Sequence, residues 1–401
     1  MIAEVSGALS LGSWCYLTLL RGGFWRVREE VEPGVNGVPT AAVAVIIPAR
    51  NEAEVVGAAI RSLLSQDYRG PLHIFVADDE SSDGTAEIAR KAAEETRKSD
   101  CLTVISTRIR PAGWTGKVWA MSEAIRQAEP RQAEYYLLTD ADIVHAPQNV
   151  SELVRRGEKG SYDLVSLMVQ LHCESFAERG LIPAFVFFFF MLYPPSWVGR
   201  TTRSTAAAAG GCILIRRTAL EKTGGMAAIR GELIDDCALA KRVKQQGGRL
   251  WLGLTSKTRS TRNYPTWQEL GRMISRSAFT QLRHSAVLLG LVCVAIAVVF
   301  AAPVLLVFHG GFSSLAGIAS WTLMSLAFLP VLRVYGRSPI WAPLLPLIAQ
   351  FYLGATMHSA ISYWRGKGGV WKDRVQDSRA VNASEPRGQD NTRRAGGEIA
   401  K

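Results

Sequence analysis

Residues 286–364 are almost entirely apolar, and this run constrains the fold more than any other feature of the chain. A backbone placed in hydrocarbon must satisfy its N–H and C=O groups internally, so a run of this kind can only be helical. Three segments are long enough to span a bilayer: 286–308, 312–332 and 340–364, the last broken by Pro343 and Pro346. Arg272, Arg276 and Arg283 precede the first, and Arg333 and Arg337 separate the second from the third, which puts the preceding domain in the cytoplasm. Three crossings would then leave the tail outside, yet Arg365, Lys367, Lys372 and Arg374 favour inside. Either the last segment is re-entrant or the charge rule fails there.

The other end is also apolar. Residues 2–20 carry Glu4 first and Arg21, Arg26 and Arg28 last, the reverse of a cleaved signal peptide. Residues 1–21 are therefore expected to be a retained anchor with its C-terminal side in the cytoplasm. Pro and Gly make 32–40 a linker, and the polar 365–401 tail is expected to be disordered beyond about 380. The net charge of +11 suits an anionic membrane surface. No basic stripe with a nucleic-acid module is present, so nucleic acid is not expected as a partner. Six scattered cysteines without a C-x-x-C pair read as reduced, mostly buried thiols.

Between these ends, residues 40–284 read as one α/β domain. Short apolar runs at 43–47, 73–77, 101–106 and 135–139 alternate with helical patterns at 52–66, 86–96 and 117–128. Such βα repeats imply a mostly parallel sheet with helices on both faces. Ser82-Asp83-Gly84-Thr85 is expected to cap the helix that follows it. Further strands are expected at 164–169 and 211–215. Between them 181–197 holds a cluster of Phe, Met and Tyr, too short to cross comfortably, and reads as an interfacial segment.

The chemistry is concentrated in acidic residues at strand ends, the edge where an open parallel sheet binds ligands. Asp78-Asp79 closes one strand and can accept hydrogen bonds from a base or ribose. Asp140-Ala141-Asp142 closes another. Two carboxylates at that spacing can reach one hard cation, Mg²⁺ or Mn²⁺, whose shell is completed by water and phosphate. Asp235-Asp236 opens a helical run over 238–245, and one of its carboxylates can take a proton from an attacking hydroxyl. Lys117 stands at a helix start beside Gly113 and Gly116, a natural anion site. Arg276, Gln281, Arg283 and His284 precede the first long apolar segment and can touch phosphate or anchor at the membrane surface. A dinucleotide oxidoreductase is disfavoured, because Pro48-Ala49-Arg50-Asn51-Glu52 follows the first strand where a G-x-G-x-x-G would stand.

In this order the motifs resemble the family 2 glycosyltransferases of the GT-A fold, over about residues 43–283. The resemblance implies a GT-A, Rossmann-like domain flanked by N-terminal and C-terminal transmembrane helices. Pro48, Arg50, Glu52, Asp78, Asp79, Lys117 and Asp140 would bind the nucleotide-sugar, a UDP-sugar by expectation. Asp140 and Asp142 would hold the metal, Asp236 would be the base with Asp235 beside it, and Arg283 and His284 would contact acceptor or phosphate. A closer likeness is to bacterial glycosyltransferases associated with hopanoid biosynthesis. They share the anchor, the Gly-Trp-Thr-Gly-Lys element, the Phe-rich stretch before Tyr193-Pro194 and the C-terminal spans, and Trp371-Lys372-Asp373-Arg374 looks like the short motif that follows the last span in related enzymes. This implies inverting sugar transfer to a lipid acceptor, with the protein in the inner membrane and the catalytic domain facing the cytoplasm. One departure stands out: Gln281-Leu282-Arg283-His284 lacks the Trp of the Gln/Arg-x-x-Arg-Trp motif of processive synthases. The alternatives are a polysaccharide or other glycoconjugate synthase, and a non-catalytic membrane scaffold that keeps the fold.

Overall fold

The computed structural model describes residues 1–27, 38–371 and 374–375. Arg28, most of the 32–40 linker, Lys372, Asp373 and the tail from 376 lie outside the described residues.

Helix α1 (Ile2–Cys15) continues into a π-helical turn, Tyr16–Leu20. The expected alternation follows as β1 (Val43–Ala49), α2 (Ala53–Leu64), β2 (Leu72–Asp78), α3 (Thr85–Glu95), β3 (Leu102–Ser106), α4 (Gly116–Ala128) and β4 (Tyr135–Thr139). After these come β5 (Ile143–Val144), α5 (Asn149–Lys159), β6 (Leu164–Gln170), α6 (Phe176–Leu192), α7 (Pro195–Val198), β7 (Cys212–Arg216) and α8 (Arg217–Lys222). The domain closes with α9 (Asp235–Gln245), β8 (Leu250–Ser260) and α10 (Trp267–Gln281). The sequence reading missed α5, β5, α8, β8 and α10. In β8 the second half is polar and reads as loop, although the strand runs on beside β6.

One sheet holds these strands in the order β3-β2-β1-β4-β7-β6-β8-β5. The pairs β1–β2, β1–β4, β2–β3 and β6–β8 are parallel. Strand β7 runs antiparallel to both β4 and β6. Its start therefore lies on the edge where β1, β2 and β4 end, which brings the Gly210-Gly211 turn to the ligand edge. The two-residue period of β1 divides the core. Val43, Val45 and Ile47 face a layer with residues of α2, α3 and α5, whereas Ala44 and Ile46 face α4 and α6.

Four apolar helices follow, α11 (Ala286–Ile296), α12 (Ala302–Leu306), α13 (Gly311–Val334) and α14 (Leu345–Trp364), and residues of α13 and α14, with Phe300, continue that second layer. Pro343 and Pro346 act as expected of helix breakers: Pro339–Leu344 is a 3₁₀ turn, and Pro346 sits in the first turn of α14, where its missing N–H costs nothing. Trp14 of α1 is fully buried and its Nε1 donates to the Val299 carbonyl at 2.8 Å. A Cβ on Gly7 would stand 3.1 Å from that of Ala316, so α1 and α13 touch through small residues. By length and composition four stretches among the described residues could cross a membrane: Phe176–Val198, Ala286–His309, Gly311–Val334 and Pro339–Trp364. Helix α1 is not one of them.

The aromatic stretch at 181–197 belongs to a longer helix than its composition suggests. A capping box of Ser175 and Glu178 starts α6 at Phe176. Phe187 is buried against Phe24 and Phe328. Helices α6, α10 and α14 run side by side in one direction. Phe176 meets Trp267 at their starts and Tyr193 accepts from Gln281 at their ends. Phe351 meets Trp267, the Ser359 hydroxyl accepts from the Phe279 N–H, and Tyr363 stacks on His284. All six cysteines are free, but only Cys173 and Cys212 are buried, fewer than expected.

Candidate active site

The turns after β1 and β2 are stitched together by side chains. Asp83 Oδ2 accepts from the Ala53 N–H (3.0 Å), Thr85 Oγ1 from the Glu52 N–H (2.9 Å), and Ser81 Oγ from the Asn51 N–H (2.9 Å). These residues therefore serve the free N–H groups at the start of α2. Their own helix α3 follows Gly84, which takes a left-handed φ of 86°, and Asp83 Oδ1 also accepts from the N–H of its first residue, Thr85, at 3.1 Å. The expected local cap is thus present through Asp83, and because neighbouring parallel strands place the two turns against each other, the same turn also caps α2. Asp79 is buried, with Thr107 Oγ1 donating to its Oδ1 at 3.2 Å and the Arg50 guanidinium 3.8 Å from its Oδ2. Asp78 Oδ1 accepts from the Ser81 N–H at 3.3 Å. Pro48 is buried within β1 opposite Ala77.

The second group gathers around Lys117, in the first turn of α4. Its Nζ lies 2.9 Å from Asp140 Oδ1 and 3.4 Å from Asp235 Oδ2. Asp236 is fixed by two backbone donors, Gly210 N–H to Oδ2 (2.8 Å) and Cys237 N–H to Oδ1 (2.7 Å). A Cβ on Gly210 would stand 3.1 Å from Asp236 Oδ2 and 3.4 Å from Lys117 Nζ, so a side chain there would push the Asp236 carboxylate back by a few tenths of an ångström. Lys117, Thr139, Asp140, Gly210, Asp235 and Asp236 line one pocket. Burial pushes the Asp236 carboxyl up, the neighbouring Asp235 charge adds to this, and Lys117 opposes it, leaving the group at about 6. Burial alone would lower Lys117. The Asp140, Asp235 and Asp236 carboxylates outweigh it and hold the ammonium protonated, above its ordinary value. The result is a base that is ionised at neutral pH yet titrates close to it.

Asp142 lies in a third group that sequence reasoning missed. Ser260 Oγ donates to Asp142 Oδ2 at 2.6 Å, and the Thr261 N–H donates to the Asp142 carbonyl at 2.9 Å. Arg262 bridges two of the expected site residues, with Nη2 on Glu52 Oε2 and Nε 3.5 Å from Asp142 Oδ2. Burial would lower Arg262, and the Asp142 and Glu52 charges more than reverse that. The signal for Arg262 was its place just beyond the end of a strand, a strand the polar half of β8 concealed. Arg283 and His284 do not line the pocket. His284 is stacked on Tyr363 (centroids 4.0 Å apart, planes 7° apart), and both residues have a left-handed φ at the break between α10 and α11.

No group of three or more His, Cys, Asp or Glu side chains that could hold a metal occurs among the described residues. Two carboxylates two residues apart still suit Mg²⁺ or Mn²⁺. Mg²⁺ dehydrates reluctantly and is ordinarily held by one or two carboxylates plus phosphate and water. In the free chain, Asp140 and Asp142 are each paired with a protein cation.

Residues 44–224 match the family model described as Glycosyl transferase family 2. The chain carries a family 2 glycosyltransferase domain. Among curated proteins, the chain is 33% identical over 119 residues to an N-acetylglucosaminyltransferase of Rhizobium leguminosarum bv. viciae, covering 29% of this chain and 26% of that protein. It is 29% identical over 134 residues to the beta-monoglucosyldiacylglycerol synthase of a Synechocystis strain, covering 32% and 26% respectively. The chain thus spans about a quarter of the length of each of these relatives. Among solved structures it resembles the mannosyltransferase PcManGT of Pyrobaculum calidifontis, in complex with GDP-Man and Mn²⁺. The TM-score is 0.51 at 19% identity, covering 90% of this chain and 99% of that one. At that identity the likeness is one of fold, a GT-A-like α/β fold that extends over most of the chain.

Proposed function

We propose that this chain is a membrane-bound, inverting glycosyltransferase that moves a sugar from a nucleotide-sugar, a UDP-sugar by preference, to the hydroxyl of a lipid, in the hopanoid class. The observation that carries the reading is Asp236. It is a carboxylate oriented by two N–H donors, raised towards neutrality and placed 3.1 Å from where a Gly210 Cβ would be, beside a lysine that ties Asp140 to Asp235. In this reading Asp79 and Asp78 receive the base and ribose, with Arg50 and Pro48 shaping the turn. Asp140, Asp142 and Glu52 face the diphosphate, and Asp140 and Asp142 would hold Mg²⁺ or Mn²⁺. Bound there, the cation would neutralise the departing diphosphate. Asp236 takes the proton of the acceptor hydroxyl as its oxygen forms a bond to the anomeric carbon. The bond between that carbon and the diphosphate oxygen breaks in the same step, and the electron pair leaves with the nucleotide diphosphate. Lys117 stays protonated and offsets the added negative charge at Asp140.

The apolar helices support a membrane location. Strands β6 and β7 are adjacent in one sheet, so α6 between them enters and leaves on the same side and adds no net crossing. Helix α14 lies along α10 and α6 rather than opposing them. In this reading α1, the α11–α12 segment and α13 cross, α14 lies at the interface, and residues after Trp364 return to the catalytic side. The basic Arg365 and Lys367 then obey the charge rule that three C-terminal crossings would break.

The test is Asp236→Asn in the purified full chain. Transfer of radiolabelled sugar to extracted lipid should fall at least about 1,000-fold, the scale on which a lost base and its charge act, while UDP binding by calorimetry survives. Near-wild-type turnover would end the assignment. Growing polymer products would favour the synthase alternative, and no metal-dependent nucleotide binding would favour the scaffold.

A further inference from the structure

Three arginines gather on the side of α6 where it ends, outside the site described above. The Arg21 guanidinium lies 4.9 Å from the ring centroid of Trp197, and that of Arg203 lies 4.8 Å from the same ring. Their charged carbons are thus no more than about 10 Å apart. Arg200 is exposed in the same turn, Gly199-Arg200-Thr201-Thr202-Arg203-Ser204, whose two hydroxyl-bearing threonines are exposed as well. Among the described residues none of the three arginines has a carboxylate within 4 Å.

The cluster is built rather than loose. Arg21 Nε donates to the Met191 carbonyl at 3.0 Å and Nη2 to that of Leu192 at 3.3 Å, which ties the end of the N-terminal helix to the end of α6. Ser196 Oγ donates to the Gly22 carbonyl at 2.6 Å. Gly22 takes φ +66°, and a Cβ there would stand 2.7 Å from Trp197 Nε1. On the other side Lys244 Nζ donates to the carbonyls of Val198 (2.7 Å) and Thr205 (2.5 Å), which anchors both ends of the arginine turn to the last turn of α9. Folding thus holds the Arg21 and Arg203 charges beside one ring with no carboxylate at them among the described residues, an arrangement that repels itself unless an anion is supplied. Guanidiniums pair with phosphate through paired N–H donors, and a half-buried Trp beside them matches the headgroup level of a bilayer.

We propose that Arg21, Arg200 and Arg203 around Trp197 form a binding site for the phosphate of an anionic bilayer phospholipid. The site rests on the membrane location proposed above. It fixes the depth of the domain in the interface. The turn runs on to Gly210, whose N–H holds Asp236, so a bound headgroup steadies the segment that orients the base.

The test uses the full chain in detergent, offered equal phosphatidylglycerol and phosphatidylcholine and read by native mass spectrometry. The wild type should retain phosphatidylglycerol in preference, and the paired variant R200Q/R203Q should lose that preference by about fivefold for each arginine removed, the worth of one basic residue at an anionic surface. R90Q, on the exposed side of α3, should leave it unchanged. Equal retention of the two lipids by the wild type, or an unchanged ratio in R200Q/R203Q, overturns the site. Carbonate washing of membranes reports on location separately. Release of the wild type by carbonate would overturn both the membrane reading and this site, whereas a carbonate-resistant chain without lipid preference overturns the site alone.

Discussion

Replacing Arg262 with Met should make the free chain bind Mn²⁺ more tightly while weakening its grip on nucleotide. In the structure Arg262 stands beside one of the two carboxylates proposed to hold the metal, its Nε 3.5 Å from Asp142 Oδ2 and its Nη2 on Glu52. At an effective dielectric of about 20, a unit pair at that separation attracts by about 5 kcal/mol. The Arg262 side chain is 32% exposed, so solvent screening cuts this to on the order of 1–2 kcal/mol. A cation arriving at Asp142 must overcome that attraction. Removing it should lower the Kd for Mn²⁺ by roughly 5- to 30-fold, since about 1.4 kcal/mol is tenfold. When nucleotide arrives, the displaced guanidinium is free to meet the diphosphate, which accounts for the expected loss of nucleotide affinity in the variant. Calorimetric titration of Mn²⁺ into the purified chain, with and without UDP, measures both. Met retains the stem's packing, and R262K, which keeps the charge, should shift Mn²⁺ affinity less. Unchanged or weaker Mn²⁺ binding by a folded R262M chain without nucleotide would refute the idea that Arg262 guards the site.

Other perturbations test other parts of the structure. Asp236 must be ionised to act as base and its carboxyl is pushed up to about 6, so kcat/KM should rise with pH to a plateau above that value. Lys117→Met should move the midpoint to higher pH, because the ammonium is what opposes the rise; a profile flat from about pH 5 to 8, across the value to which Asp236 is raised, would argue against Asp236 as base. Asp83→Ala removes acceptors for the Ala53 and Thr85 N–H groups and should cost about 1 kcal/mol, seen as a lower melting temperature. A fluorescent reporter fused after Lys401 should fold on the cytoplasmic side if α14 lies at the interface, whereas an active periplasmic phosphatase at that position would show that α14 crosses.

The sequence was legible wherever the deciding physics is local. Alternating apolar runs and helical spacing located β1 to β4 and α2 to α4 within a residue or two, because their hydrophobic faces are written in strict periods. The carboxylates at strand ends were legible for the same reason: a strand's end fixes the edge its next residue occupies. Lys117 beside Asp140 and Asp235 could be guessed as one site, since each stands at the start or end of an element on that edge. What the sequence by itself determined is an α/β domain with acids on one sheet edge, joined to apolar helices. Only the tertiary structure decided what each acid pairs with. The caps from Ser81, Asp83 and Thr85 act on a neighbouring helix, Arg262 reaches Glu52 across 210 positions of the chain, and Gly210 comes to Asp236 because β7 runs backwards. Composition likewise marks 340–364 as apolar, but whether it opposes or accompanies its neighbours is set by side-chain pairs such as Trp267 with Phe351 and His284 with Tyr363. Those partners are distant in sequence, and no period or propensity within a single segment encodes which distant surface will meet it.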